Sequence, residues 1–194
     1  MNIDFIENLS EICNGKTAFL GIGNIDRGDD GAGIALAGLL TGAGLENVYD
    51  GGVTPEKVIP IIRDGGFDSV VFMDAVDMSS EPGSISIIDT QELVRIFPPI
   101  STHKLSLGAL AMLVTDGNNS RVWLIGIQPG ATRMETSGGR IFSPRPKSLK
   151  AISDGFNKTP DSPYMLSLSK KVAAAVLTVS REITVVMVKE RICI

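Results

Sequence analysis

The stretch that decides the fold is residues 17–40, TAFLGIGNIDRGDDGAGIALAGLL. It opens with a short apolar run, Thr17–Gly21, which predicts a buried β-strand. A glycine-rich turn over residues 21–33 follows, and the apolar residues 33–40 after it are typical of a helix. Strand, turn and helix in this order predict the start of an α/β domain, in which ligands bind at the carboxyl ends of the strands.

The rest of the chain repeats this alternation of strand and helix. Further strands are predicted at Val48–Tyr49, Ser69–Met73, Ser84–Ile88 and Arg121–Ile127. Helices are predicted at Ile3–Cys13, from Thr54 to about Arg63, at Gln91–Phe97, from Leu105 to Val114 and from about Ser167. Residues 184–194 fit either a continuation of the last helix or a strand. The expected fold is a three-layer α/β sandwich, a twisted and mostly parallel sheet with helices on both faces.

One segment interrupts this rhythm. Residues 133–164 carry a glycine pair, four prolines and several basic residues, which is typical of a long loop. A chain of 194 residues has the length of one domain. We therefore predict a single domain over residues 1–194 with a loop insertion at about 133–164.

Composition excludes several classes of function. The chain has 18 basic and 22 acidic residues and only 5% aromatic residues, which argues against a nucleic-acid partner. Cys13 and Cys193 form neither a disulfide framework nor a zinc-ligand spacing. The longest apolar stretches, 172–179 and 183–188, are too short to span a membrane. We expect a soluble, cytoplasmic protein with no membrane partner.

Acidic side chains follow three of the predicted strands at the point where each strand ends. They are Asp26, Asp29 and Asp30 after the first strand, Asp50 after the second, and Asp74 and Asp77 after the third. The only histidine, His103, lies in a loop before a predicted helix. Carboxylate and imidazole groups hold divalent metals, and two acids with one histidine would leave coordination positions open for substrate or water.

Each of these residues also has a simpler interpretation. Asp29 or Asp30 could cap the following helix, Asp74 could cap a nearby helix or turn, and a lone histidine often only packs. A dinucleotide-binding turn is disfavoured because Asp26 replaces the third glycine of that pattern and acids surround the phosphate position. The chain has no signature of a serine hydrolase or a zincin, and its cysteines lie outside every motif.

Four motifs together resemble the hydrogenase maturation endopeptidases. Residues 21–33, GIGNIDRGDDGAG, are similar to the first motif of that family. Residues 71–77 (VFMDAVD), 101–107 (STHKLSL) and 126–129 (GIQP) resemble three further segments in the same order. The Asp50-Gly51-Gly52 turn matches as well, so the resemblance spans about residues 17–129.

The resemblance implies an aspartic-type endopeptidase that removes the C-terminal extension of a nickel–iron hydrogenase large-subunit precursor. The nickel is carried by the substrate and signals that metal insertion is complete, although other divalent metals could occupy the site. The family's metal-contacting residues map onto Asp30, Asp74 and His103, and Asp50 is a further catalytic candidate. The alternatives are a non-catalytic nickel-dependent assembly chaperone and a diverged metallohydrolase of the same fold.

Three neighbouring residues receive supporting roles in this hypothesis. We expect Asp29 to cap a helix or orient a ligand, and Asp77 to hold the loop after Asp74 through side-chain to backbone hydrogen bonds. Asn24 is expected either to orient the substrate or to brace the glycine-rich turn.

Overall fold

The computed structural model describes residues 3–99, 105–130 and 165–192, and a five-stranded sheet lies at its centre. The strands are β1 (Thr17–Ile22), β2 (Val48–Gly52), β3 (Ser69–Ala75), β4 (Ile85–Asp89) and β5 (Arg121–Ile127). They lie in the order β2-β1-β3-β5-β4. The first four in this order are parallel, and β4 pairs with β5 in the antiparallel direction at the edge. The mostly parallel sheet predicted from the sequence is therefore confirmed.

Helices cover both faces of the sheet. They are α1 (Ile3–Cys13), α2 (Ala32–Gly42), α3 (Ile59–Asp64), α4 (Thr90–Ile96), α5 (Leu107–Thr115) and α6 (Lys170–Ile192), with 3-10 turns at Ile25–Gly31 and Pro55–Lys57. One buried cluster joins α1, α2 and α6 to one face, and a second joins α3, α4 and α5 to the other. Because alternate residues of a strand point to opposite faces, the apolar runs of β1 and β3 supply both clusters.

Helix α2 lies unusually close to the sheet. A Cβ atom at Gly33 would collide with the carbonyl oxygens of Met73 and Ile22, and one at Gly21 would lie 2.8 Å from the Cβ of Ala37. Glycine is therefore required at both positions by close packing rather than by backbone conformation. This approach places the turn between β1 and α2 directly over the end of β3.

One expectation about the helices needs revision, and one open alternative is resolved. The helix predicted from Thr54 to Arg63 is split, and the Thr54 side chain does not cap it. Pro60 has no N–H and would clash inside a continuous helix, so it lies instead in the first turn of a new one, α3. The open question about residues 184–194 is settled for the described part, because α6 runs without interruption to Ile192.

The remaining expectations concern the insertion and the membrane. The predicted insertion at 133–164 lies outside the described residues. Within the ranges that the structure describes, no helix is both long and apolar enough to cross a membrane.

Candidate active site

A cleft of about 930 Å³ opens at the carboxyl ends of β1, β2 and β3. Parallel pairing sets Gly21 of β1 opposite Met73 of β3, so the segments that follow these strands leave the sheet side by side. Asp30 and Asp74 both line the cleft, one from each segment. The structure thus brings together two of the predicted site residues.

The turn that carries Asp30 is closed by its own backbone. The Asn24 N–H donates to the Asp30 carbonyl oxygen at 3.0 Å, and the Asn24 side chain accepts from the Asp26 N–H at 2.9 Å. Gly28 adopts a φ of +61°, which lets the 3-10 stretch kink before it reaches α2. Of the two roles considered for Asn24, bracing of the turn is the one that these contacts show.

Asp74 ends the buried part of β3 and is half-buried. Its Oδ1 accepts a hydrogen bond from the Ala75 N–H at 2.8 Å. Burial raises the pKa of the Asp74 carboxyl to about 7, the Ala75 hydrogen bond opposes the rise, and the nearby charge of Asp30 adds to it. Near neutral pH the Asp74 carboxyl therefore keeps its proton more readily than an exposed aspartate does.

Gly23 lies close to both acids, and its surroundings explain why this position is a glycine. Its φ is +131°, and a Cβ atom there would collide with the carbonyl oxygen of Asp30 and lie 3.8 Å from Oδ1 of Asp74. Any larger residue would have to move the Asp30 backbone. The close approach of the two acidic segments therefore depends on this glycine.

Of the other two predicted site residues, the structure describes Asp50 but not His103. Asp50 lies on β2 opposite Gly21, and the described lining of the cleft includes its neighbour Gly52 but not Asp50 itself. His103 lies outside the described residues, although Leu105, two residues later, lines the cleft. Within the described ranges, no three His, Cys, Asp or Glu side chains form a group that could hold a metal.

Asp29 has a structural role that connects distant parts of the chain. It is 3% exposed and accepts hydrogen bonds from Gly130 N–H (2.8 Å), Ser169 N–H (2.6 Å) and the Ser169 hydroxyl (2.9 Å). Ser169 immediately precedes α6, and its carbonyl accepts from Ala173 N–H. The capping role expected of Asp29 is thus directed at the start of the last helix and not at α2, whose preceding residue is Gly31.

Asp77 and Gln128 hold the loop that follows Asp74. Oδ1 of Asp77 accepts from Ser79 N–H at 3.0 Å and from the Gln128 side chain at 3.2 Å, and these bonds lower the pKa of the Asp77 carboxyl. The loop-holding role predicted for Asp77 is therefore confirmed. In the sequence, Gln128 stands out only as part of the GIQP segment, and this pattern does not predict its contact with the loop.

The cleft also has an apolar wall. It is formed by Val53, Phe97, Leu105, Leu107 and Leu110. Val53 and Leu105 remain 56% and 49% exposed, so apolar side chains are left uncovered in a cleft that is also lined by Asp30, Glu56, Asp74 and Asp77. Among the described lining residues, Arg27 is the only base. A cleft with an acidic end and an apolar wall suits an extended peptide better than a small anion.

A sequence model of the HycI hydrogenase maturation proteases matches residues 41–144, more than half of the chain. This chain belongs to the hydrogenase maturation protease family. The hydrogenase 3 maturation protease of Escherichia coli K12 is 38% identical over 110 residues, which are 56% of this chain and 69% of that protein. The protein is therefore a peptidase, and the resemblance seen in its motifs is confirmed.

Solved structures agree with the α/β fold of this protease. The crystal structure of HycI from Thermococcus kodakarensis superposes with a TM-score of 0.68 at 24% identity, covering 93% of this chain and 98% of that one. The solution structure of the endopeptidase HycI from Escherichia coli gives a TM-score of 0.57 at 27% identity, covering 86% and 87%.

Proposed function

We propose that this protease removes the C-terminal extension of a nickel–iron hydrogenase large-subunit precursor after nickel insertion. The observation that carries the proposal is the meeting of Asp30 and Asp74 at one end of a peptide-sized cleft. The substrate-bound nickel is the recognition element, and Asp30, Asp74 and His103 are its proposed ligands on the protease. We further propose that the enzyme is of the aspartic type and that its reaction takes place in the cytoplasm.

The charge of the acid pair supports the metal-contacting role. Burial and the neighbouring Asp30 raise the pKa of Asp74 to about 7, so a divalent cation between the two carboxylates would relieve their repulsion. Carboxylate oxygens are suitable donors for nickel, and an imidazole from His103 would complete a set of three. Such a set leaves coordination positions for the ligands that the precursor itself supplies.

Different residues of the cleft would have different roles in cleavage. The nickel supplies Lewis acidity, which polarises a carbonyl or lowers the pKa of a bound water. Asp30 and Asp74 would hold the substrate by its metal, and the wall of Phe97, Leu107 and Leu110 would hold the chain beside the scissile bond. Asp50, which lies on β2 opposite Gly21, is a further catalytic candidate.

Intact-mass measurement of a purified precursor tests the proposal directly. With the wild-type protease, a nickel-loaded precursor should lose its C-terminal peptide, while the nickel-free precursor should keep its full mass. Asp30→Asn and His103→Ala should abolish the loss. Asp26→Asn removes an exposed carboxylate from the same loop and should cleave normally. Stable binding of the precursor without any change of mass would instead identify a nickel-dependent chaperone.

A further inference from the structure

The end of β5 contacts two segments, the 3-10 stretch that carries Asp29 and Asp30 and the loop that follows Asp74. It does not itself line the described cleft. Residues 128–130, called here the 128–130 turn, follow β5 directly. They are absent from the described lining residues, which include Asp30 and Asp74. Asp30 lies in the 3-10 stretch Ile25–Gly31 and Asp74 at the end of β3, so the separation of the two side chains depends on how these segments are held to a common support.

Gln128 ties down the loop that follows Asp74. Its side-chain Oε1 accepts from Met78 N–H at 2.6 Å and from Ser80 N–H at 3.3 Å, and its Nε2 donates to Asp77 Oδ1 at 3.2 Å. The side chain is buried, with 7% of the residue exposed. Nearer to Asp74, Val76 N–H donates to the carbonyl of Ile127 at 3.0 Å. The whole loop is thus attached to the end of one strand.

Gly130 ties down the other loop, two residues further along. Its N–H donates to Oδ2 of Asp29, the residue next to Asp30. A Cβ atom at Gly130 would lie 2.9 Å from that same oxygen, so the turn and the Asp29 carboxylate are in close contact. The Gln128 side chain holds the loop after Asp74, and the Gly130 N–H holds the segment that carries Asp29 and Asp30. Both groups therefore belong to one short segment.

We propose that the 128–130 turn is a positioning element that sets the distance between the Asp30 and Asp74 carboxylates. The role in catalysis rests on the proposed function, in which these two acids bind the metal of the substrate. Gln128 is then a positioning residue and not a catalytic one, since its contacts are with the loop. An error of about 1 Å in the placement of such groups costs on the order of 100-fold in rate.

The test compares Gln128→Leu with a matched variant at the opposite end of β5. The Thr90 hydroxyl donates to the Val122 carbonyl at 2.6 Å and accepts from the Val122 N–H at 2.9 Å. Thr90→Val removes these bonds without touching the cleft. Both variants lose buried hydrogen bonds and should be destabilised. Only Gln128→Leu should lower kcat, by about 10-fold or more, with KM within about threefold.

Crystal structures of the two variants give a readout that does not depend on the precursor. The Asp30 to Asp74 carboxylate separation should change by more than about 0.5 Å in Gln128→Leu and stay within that limit in Thr90→Val. An unchanged separation in Gln128→Leu overturns the positioning role, whatever the enzyme cleaves. A changed separation in a protein whose wild type leaves the nickel-loaded precursor intact would refute the proposed function alone.

If Gln128→Leu fails to fold, the positioning role is tested with the single variant Gln128→Glu and the double variant that adds Asp77→Asn. Gln128→Glu keeps an acceptor for Met78 N–H and Ser80 N–H but sets a carboxylate against Asp77. Adding Asp77→Asn restores a donor at the other end of that contact. The double variant should recover at least about threefold of the kcat that Gln128→Glu loses, and no recovery would contradict the proposal.

Discussion

Replacing Asp74 by asparagine is expected to stabilise the metal-free protease near neutral pH while abolishing cleavage. In the folded protein the Asp74 pKa is raised from 3.8 to about 7, chiefly by burial. The folded state therefore keeps the proton where the unfolded chain has lost it, and ionising the folded carboxyl costs free energy. Asparagine is neutral at every pH and can still accept the hydrogen bond from Ala75 N–H.

The size of the effect follows from the pKa difference. At about 1.4 kcal/mol per unit, a shift from 3.8 to about 7 corresponds to roughly 4 kcal/mol. The cost is absent below about pH 4, grows as the pH rises toward 7 and is constant above that. Asp74→Asn should therefore exceed the wild type in free energy of unfolding by about 2 kcal/mol near pH 5 and about 4 kcal/mol near pH 8.

Urea unfolding of both proteins, with metal removed by a chelator, measures this difference. A gain of about 4 kcal/mol moves the midpoint by more than about 1 M urea. Asp77→Asn is the control of opposite sign, because hydrogen bonds lower the pKa of Asp77 and its ionised form is favoured by folding. Equal midpoints for Asp74→Asn and wild type near pH 8, or a gap that shrinks from pH 5 to pH 8, would refute the reasoning.

Two further substitutions probe the shape of the site. Gly23→Ala should lower the free energy of unfolding by about 2 kcal/mol or more and abolish cleavage, because the added Cβ would collide with the Asp30 carbonyl oxygen. Gly44 also has a positive φ but has open space around it, so Gly44→Ala should keep full activity in the same assays. Phe97→Ala should reduce kcat/KM on the nickel-loaded precursor by about 10-fold through loss of apolar contact, while Met112→Ala, an exposed apolar residue outside the cleft, should change it by less than about twofold.

The sequence predicted the sheet well because its strands are continuous apolar runs. Ser69–Met73 and Arg121–Ile127 are continuous apolar runs typical of buried strands, and Asp74, at the end of the first run, lines the cleft together with Asp30. The helix predicted from Thr54 to about Arg63 includes Pro60 in its interior. Because proline lacks an N–H, the chain begins a new helix there instead. That error was avoidable from the local sequence.

The contacts at the site that the sequence did not predict have a different origin. Asp29 and Gln128 make their hydrogen bonds to residues that are remote in the sequence, Ser169 and Ser80 among them. Local patterns such as a cap or a strand end identify a residue as polar and placed near the cleft, but they do not name its partner. Only the packing of β5 and α6 against the acidic loops supplies that information.

The Asp29 carboxylate also bears on how such a chain can change in length. Because Gly130 and Ser169 both donate to it, the two ends of the stretch between them are held at a single side chain. Closing a longer loop costs little, about 0.6 kcal/mol for each doubling of length. Insertions and deletions acquired there over generations would leave the two cleft acids where they are. The chain can thus gain or lose residues between these two anchors beside an unaltered cleft, provided that this one aspartate is retained.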